Sequence, residues 1–218
     1  MQINEIKAFL DSPDPQNRIK AIIELRNHPA NVVVPLLKQR IYDKEFVIRS
    51  YVAMGLGYKM TDEGFDILLN LIDNDADPNV KAEAANSLSK YGEKSIPYLV
   101  ELFRKESHWL LRQSIFAALS EMASPDVFLK LSLWGLDGDD LTVKLASISY
   151  LQNIKGTSLE PEAINVLLDL CTSDIVAIRK QVARVLGDFD TPEAKAALVQ
   201  LREDEDHRVV GATLEALL

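Results

Sequence analysis

The sequence predicts an all-α chain, a single right-handed superhelix of stacked helix pairs spanning residues 1–218. Three observations predict it. A helix-start pattern recurs along the whole chain, its spacing is nearly constant, and no segment shows strand alternation bounded by turn residues. The pattern is cleanest in "DPNVKAEAANSL", residues 77–88. Asp77 reads as an N-cap and Pro78 as the first helical residue, followed by apolar Val80, Ala84, Ala85 and Leu88. It returns as "DPQNRIKAIIEL" from Asp14, "EFVIRSYVAMGL" from Glu45 and "DLTVKLASISYL" from Asp140.

The repeats align on a basic residue at Arg18, Arg49, Lys81, Arg112, Lys144 and Arg179, with Val210 in a degenerate seventh copy. The separations are 31, 32, 31, 32, 35 and 31 residues, the period of a solenoid built from helix pairs. Four residues after the basic slot stand Ile22, Ala53, Ala85, Phe116, Ile148, Ala183 and Leu214. Seven after it stand Leu25, Leu56, Leu88, Leu119, Leu151, Leu186 and Leu217. Those two slots share one face of a helix with the residue preceding the basic one, and that face reads as core.

A second helix precedes each of these. It is a short stub, "NEIKAFL", in the first copy, then "NVVVPLLKQRI", "DEGFDILLNLI", "KSIPYLVELFRK", "PDVFLKLSLWGL", "PEAINVLLDLC" and "TPEAKAALVQL". Thr61, Ser124 and Thr191 read as caps. Each unit is therefore helix A, a tight turn, helix B and a further turn. The 35-residue interval adds length near "KGTSLEP", residues 155–161, which predicts a longer, mobile connection. The last helix ends in Leu217 and Leu218 with no polar residue after them, and it is expected to fray first or to pair with another chain.

These helix starts resemble the HEAT repeat family, specifically the phycobilisome-lyase-type HEAT-like repeats. Asp77, Val80, Lys81, Ala84, Ala85 and Leu88 carry the resemblance, which extends over about the whole chain. The stretch "WLLRQSIFAALSEM" is most similar to the cyanobacterial NblB-like group of phycobilisome-degradation factors. The resemblance implies a cytoplasmic protein whose partner is a phycobiliprotein or another photosynthetic protein. It also implies an alternative role as a bilin lyase or chromophore-handling subunit. A third reading is a general assembly scaffold.

Composition narrows the function. With 47% hydrophobic and 26% charged residues the chain can bury a core, and its net charge of -9 disfavours phosphate backbones. No apolar run approaches the roughly 20 residues needed to span a bilayer. The single cysteine, Cys171, excludes an internal disulfide and reads as a small packed hydrophobe. His28, His108 and His207 fall in the first, fourth and last copies, roughly 30 Å apart at about 10 Å per stacked pair. They cannot share a metal. No His-Glu dipeptide occurs, so the resemblance to HEAT-type iron hydroxylases fails at its ligands. Phosphate-loop and nucleophile-elbow motifs are also missing. The expectation is a non-enzymatic protein without cofactor or metal.

The candidate binding residues are large side chains in unusual slots. In the second copy Tyr51, Met54 and Tyr58 hold positions +2, +5 and +9 from the basic residue. The next copy has Glu83, Asn86 and Lys90 there, and the fourth has Ser114, Ala117 and Glu121. B helices line the inner face of such a solenoid, so Tyr51, Met54 and Tyr58 are expected to form an exposed stripe flanked by Glu83, Asn86 and Lys90. Phe46 and Trp109 open two B helices where Pro15 and Pro78 open others, and aromatics on such a ridge suit a protein interface. The Asp and basic residue of each motif are expected to stack between repeats as a structural ladder of charge.

Overall fold

The computed structural model describes residues 1–120 and 122–218, and every regular element among them is helical. Their contacts gather into two compact units, Met1–Met122 and Ala123–Leu218. The first holds α1 (Ile3–Leu10), α2 (Pro15–Leu25), α3 (Ala30–Lys38), α4 (Phe46–Lys59) and α5 (Asp62–Asn74). It continues with α6 (Pro78–Ser89), α7 (Ile96–Lys105) and α8 (Trp109–Leu119). The second holds α9 (Pro125–Asp137), α10 (Leu141–Tyr150), α11 (Glu160–Leu170), α12 (Val176–Leu186), α13 (Pro192–Leu201) and α14 (His207–Ala216). The odd-numbered helices are the A helices and the even-numbered ones the B helices.

The cap residues start these helices as their chemistry requires. The Asn79 N–H donates to the Asp77 carboxylate at 2.9 Å, and Gln16, Val143 and Arg208 do the same to Asp14, Asp140 and Asp206. Each satisfies a backbone donor that the helix itself cannot. Thr61 and Thr191 cap through their hydroxyls, whereas Ser124 begins α9 without a side-chain cap bond.

The repeat register predicts the core of both units. Ile22, Ala53, Ala85 and Phe116, with Leu25, Leu56, Leu88 and Leu119, are buried in the first, as are Ile148, Ala183, Leu151 and Leu186 in the second. The last copy departs from it. Leu214 and Leu217 are 49% and 46% exposed, and α14 buries Val209, Ala212 and Thr213 instead. An inner B helix is covered on two flanks. Among the described residues α14 packs chiefly on α12 and α13, so its other flank is less covered.

The charge ladder forms, but through different acids from those expected. Arg49 donates to Asp75 at 2.6 and 2.9 Å, and Arg179 to Asp204 at 2.8 and 2.9 Å. Arg18 reaches Asp43 at 3.0 Å and Lys81 reaches Glu106 at 2.6 Å. Each acid lies two residues before the cap position. The cap carboxylate is occupied by its own helix, as Asp77 is by Asn79. The upstream acid is aimed by accepting the cap residue's N–H, at 2.9 Å from Asp77 to Asp75. The arginines also tie down the turn before their own helix: Arg49 donates to the Asp43 carbonyl at 2.8 Å and Arg179 to the Ser173 carbonyl at 2.7 Å. Burial alone would raise the Asp75 carboxyl, but the Arg49 bonds and the Asp77 N–H hold it below its usual value. The Arg179 bonds hold Asp204 down in the same direction. Gly138 and Ser173 stand at the acid slot in the fifth and sixth copies.

The long interval is structured differently from a plain loop. α10 runs on into a 3-10 turn, Leu151–Ile154, anchored by the fully buried Leu151 and Ile154, ahead of the added residues. The Thr157 hydroxyl then donates back to the Ile154 carbonyl at 2.7 Å and closes the turn.

Candidate functional site in the first unit

In the first unit the B helices pack side by side. α4, α6 and α8 lie in close contact, whereas α2 meets α4 over a shorter stretch. The side chains explain the difference. Ala82, Ala84, Ala85 and Ser87 on α6 are small and buried. Gly57 of α4 lies so close to Ser87 that a Cβ at Gly57 would approach the Ser87 Cβ to 2.7 Å. On its other flank α4 carries Tyr51, Met54 and Tyr58, and these bulky groups hold α2 away.

The result is a pocket of about 230 Å³ between α2 and α4. Its walls are Ile22, Ile23, Leu37, Tyr51, Met54 and Tyr58. Leu37, from α3, reaches the pocket beside Gly55, where an added Cβ would meet its Cδ1 at 2.8 Å. Arg26 and Lys59 line it, and Lys90 of α6 stands beside it over the Tyr58 ring. The Arg26 guanidinium lies 4.8 Å and the Lys90 ammonium 4.3 Å from the Tyr58 ring centre. Lys59 donates to the Arg26 and His28 carbonyls at 2.9 and 2.7 Å.

The sequence-predicted residues thus divide between two places. Tyr51, Met54 and Tyr58 come together, but Tyr51 and Met54 are half-buried and only Tyr58, 46% exposed, stands well into solvent. Lys90 flanks Tyr58 as expected. Glu83 and Asn86 do not flank the stripe. They line a separate depression of about 470 Å³ with Phe46, Val47, Ser50 and Ser114. The reason is geometric: Gly57 and Ser87 draw α4 and α6 together, so the large α4 side chains project toward α2 instead. Glu83 accepts from the Ser87 hydroxyl at 3.2 Å, while burial pushes its carboxyl above the ordinary range. Phe46 and Trp109 are 45% and 44% exposed, and the Trp109 ring stacks near His108 with centres 6.1 Å apart. Glu121 lies outside the described residues.

Ile23, Arg26 and Lys59 were missed in the sequence, although a signal exists for the first. Position +5 is apolar and large in two adjacent copies, Ile23 and Met54, and small or polar at Asn86, Ala117 and Ser149. Two neighbouring apolar residues at one slot mark the junction where the pocket lies.

Chemistry elsewhere is sparse. Among the described residues no group of three or more His, Cys, Asp or Glu is placed to hold a metal. His108 and His207 are exposed and His28 is half-buried in a turn. The Cys171 thiol donates to the Leu167 carbonyl at 3.4 Å, and burial pushes its pKa up to about 11, which leaves it a poor nucleophile. Among the described residues no helix is long and apolar enough to cross a membrane.

Helix pairs in register, laced by a charge ladder and with small residues where B helices touch, define an α-solenoid. A family profile described as HEAT repeats matches residues 33–120 and 129–218, and the chain belongs to the HEAT repeat family. No curated protein sequence matches it. Among solved structures it is similar to the Escherichia coli protein YibA, with 17% identity and a TM-score of 0.60 over 100% of this chain and 92% of the other. It is also similar to the CpcE–CpcF complex of phycocyanin lyase from a Nostoc species, with 18% identity and a TM-score of 0.53 over 100% and 87%. Human deoxyhypusine hydroxylase aligns over 99% and 94% at 14% identity, with a TM-score of 0.44. At these identities the likeness concerns the fold alone.

Proposed function

We propose that the chain is a non-enzymatic protein-binding scaffold that engages its partner through the B-helix face of the first unit. The observation that carries this reading is the α2–α4 pocket: an apolar recess opened by large side chains on a face where other copies carry small or polar ones. Apolar surface held open to water favours a partner that covers it. Phe46 and Trp109 extend exposed aromatic surface along the same row of helix starts.

The finer part of the proposal is the partner, a phycobiliprotein or another photosynthetic protein met in a cytoplasm. It is supported by the resemblance of the helix starts to phycobilisome-lyase-type repeats and of residues 109–122 to the NblB-like group. The test is titration of purified phycocyanin into the native chain and into Tyr58→Ala. Truncating an aromatic anchor costs about 2 kcal/mol of binding, roughly a thirtyfold loss of affinity. Equal affinity for both chains would sink the proposal.

A second reading, chromophore handling, is favoured by the depression between α4, α6 and α8. Its volume of about 470 Å³ lies within the roughly 300–1,000 Å³ typical of small-molecule sites. Free bilin added to the chain without any phycobiliprotein would then show a shifted absorption band.

A further inference from the structure

The α2–α4 pocket has a size, a lining and an electrostatic collar that together describe its occupant. Its volume of about 230 Å³ falls below the roughly 300 Å³ at which small-molecule sites begin, so it fits one side chain better than a free ligand. The walls are aliphatic and aromatic, with Met54 able to adapt to the shape that enters.

The collar is basic in a protein of net charge -9. The ladder cations Arg18, Arg49, Lys81 and Arg179 are each matched to a carboxylate. Among the described residues, Arg26, Lys59 and Lys90 have no carboxylate within ion-pair distance. Arg26 and Lys90 rest on the Tyr58 ring, a weak arrangement at an exposed site that a carboxylate can outcompete. Lys59 spends two of its three N–H donors on backbone carbonyls and keeps one. A basic segment would be repelled here, and a neutral one would leave the three cations unmatched.

We propose that the pocket between α2 and α4 is a socket for one large apolar side chain carried on an acidic peptide segment, with Arg26, Lys59 and Lys90 receiving the flanking carboxylates. This rests on the B-helix face being the binding face and names the chemistry of what it binds. The side chain supplies affinity by filling the recess, and the carboxylates fix orientation and speed encounter.

The probe is an acetylated, amidated pentapeptide with phenylalanine between two pairs of acidic residues, titrated into the isotope-labelled full chain and followed by NMR. The expected result is a set of shifts centred on Ile23, Met54 and Tyr58. Replacing the phenylalanine by alanine, or the four acids by lysines, should weaken binding about tenfold or more. Both comparisons use the native chain and so do not depend on any variant folding. Arg26→Glu/Lys90→Glu should lose the acidic peptide by a similar factor, with an unchanged melting midpoint. The proposal is overturned if the acidic and lysine peptides bind alike, if the alanine peptide binds as well as the parent, or if no shift appears. Shifts centred instead on Phe46 and Asn86 would overturn the socket while leaving the B-helix face as the binding face.

Discussion

The α2–α4 and α4–α6 junctions are made from the same repeat and end differently. At the second, Gly57 meets Ser87 and the alanines of α6, and the helices close on each other. At the first, Tyr51, Met54 and Tyr58 face Ile22 and Ile23, and the helices leave a recess. Both junctions carry a ladder rung, Arg18–Asp43 and Arg49–Asp75. The rung therefore sets the stacking, and the residues at +2, +5 and +9 decide whether a junction is sealed or open. A repeat protein can open one binding recess this way without changing its framework.

If the rungs set the stacking, removing their acids should have the largest effect, and a similar one at both junctions. Asp43→Asn and Asp75→Asn each strand a largely buried arginine, which typically costs about 3–5 kcal/mol. Denaturant melts would check this, and a much smaller loss at Asp43 would mean the open junction is held by something else. Asp75 adds a pH signature. Its folded carboxyl is held below the ordinary value of an aspartate, so its contribution is present above that ordinary value and is lost as pH falls through the lower, folded one. The Asp75→Asn chain should lose less stability than the native chain across that acid range.

Leu88→Ala, in the sealed junction, should cost about 2–5 kcal/mol because Leu88 is fully buried. Tyr58→Ala, at the open one, should change stability by only about 0.5 kcal/mol. Tyr51 is half-buried against the recess, so its truncation mixes packing with binding and makes a poorer test.

The two glycines of α4 sharpen the comparison further. Gly57→Ala should destabilise by about 1–3 kcal/mol, because the new methyl group meets the Ser87 backbone and Cβ. At Gly55→Ala the nearest atom is the end of the Leu37 side chain, which can turn into the recess. There the gain of about 1 kcal/mol in helix propensity should leave the chain as stable as before or more so. Equal destabilisation at both sites would show that the α2–α4 junction has no slack.

Most of the fold was legible in the sequence because solenoid packing is local. Each copy contacts its neighbours, so a 31-residue register and an apolar slot at +4 and +7 suffice to assign Leu25, Leu56 and Leu88 to the core. The same logic failed at Leu214 and Leu217, which are 49% and 46% exposed on the less covered flank of α14. The acids of the ladder escaped because an Asp at a helix start has two possible uses, and capping takes the nearer one. The candidate site was half legible. Slot position identifies Tyr51, Met54 and Tyr58 as unusual, but which neighbour they face depends on how closely each pair of helices approaches. That distance is set by Gly57 and Ser87, one on each helix, and neither is informative alone.

The smallest expected effect lies at Glu83, on the sealed side. Burial raises its folded carboxyl above the ordinary value of a glutamate, so its charged form is disfavoured in the fold. Stability tied to this group is greatest below the unfolded value and is lost as pH rises through the folded one. Glu83→Gln should therefore melt slightly higher than the native chain at neutral pH, and the difference should vanish in acid. Thermal melts across that range would detect it.

The central claim is that the open junction, and not the sealed one, receives the partner. The most direct measurement is the affinity of a partner isolated from the native host for three chains: native, Ile23→Glu and Ser114→Glu. Ile23 is 51% exposed at the mouth of the recess, and Ser114 lines the depression over α6 and α8, so neither change disturbs the core. The account predicts a loss of about thirtyfold or more for Ile23→Glu and native affinity for Ser114→Glu. Native affinity for Ile23→Glu with a loss for Ser114→Glu would contradict it.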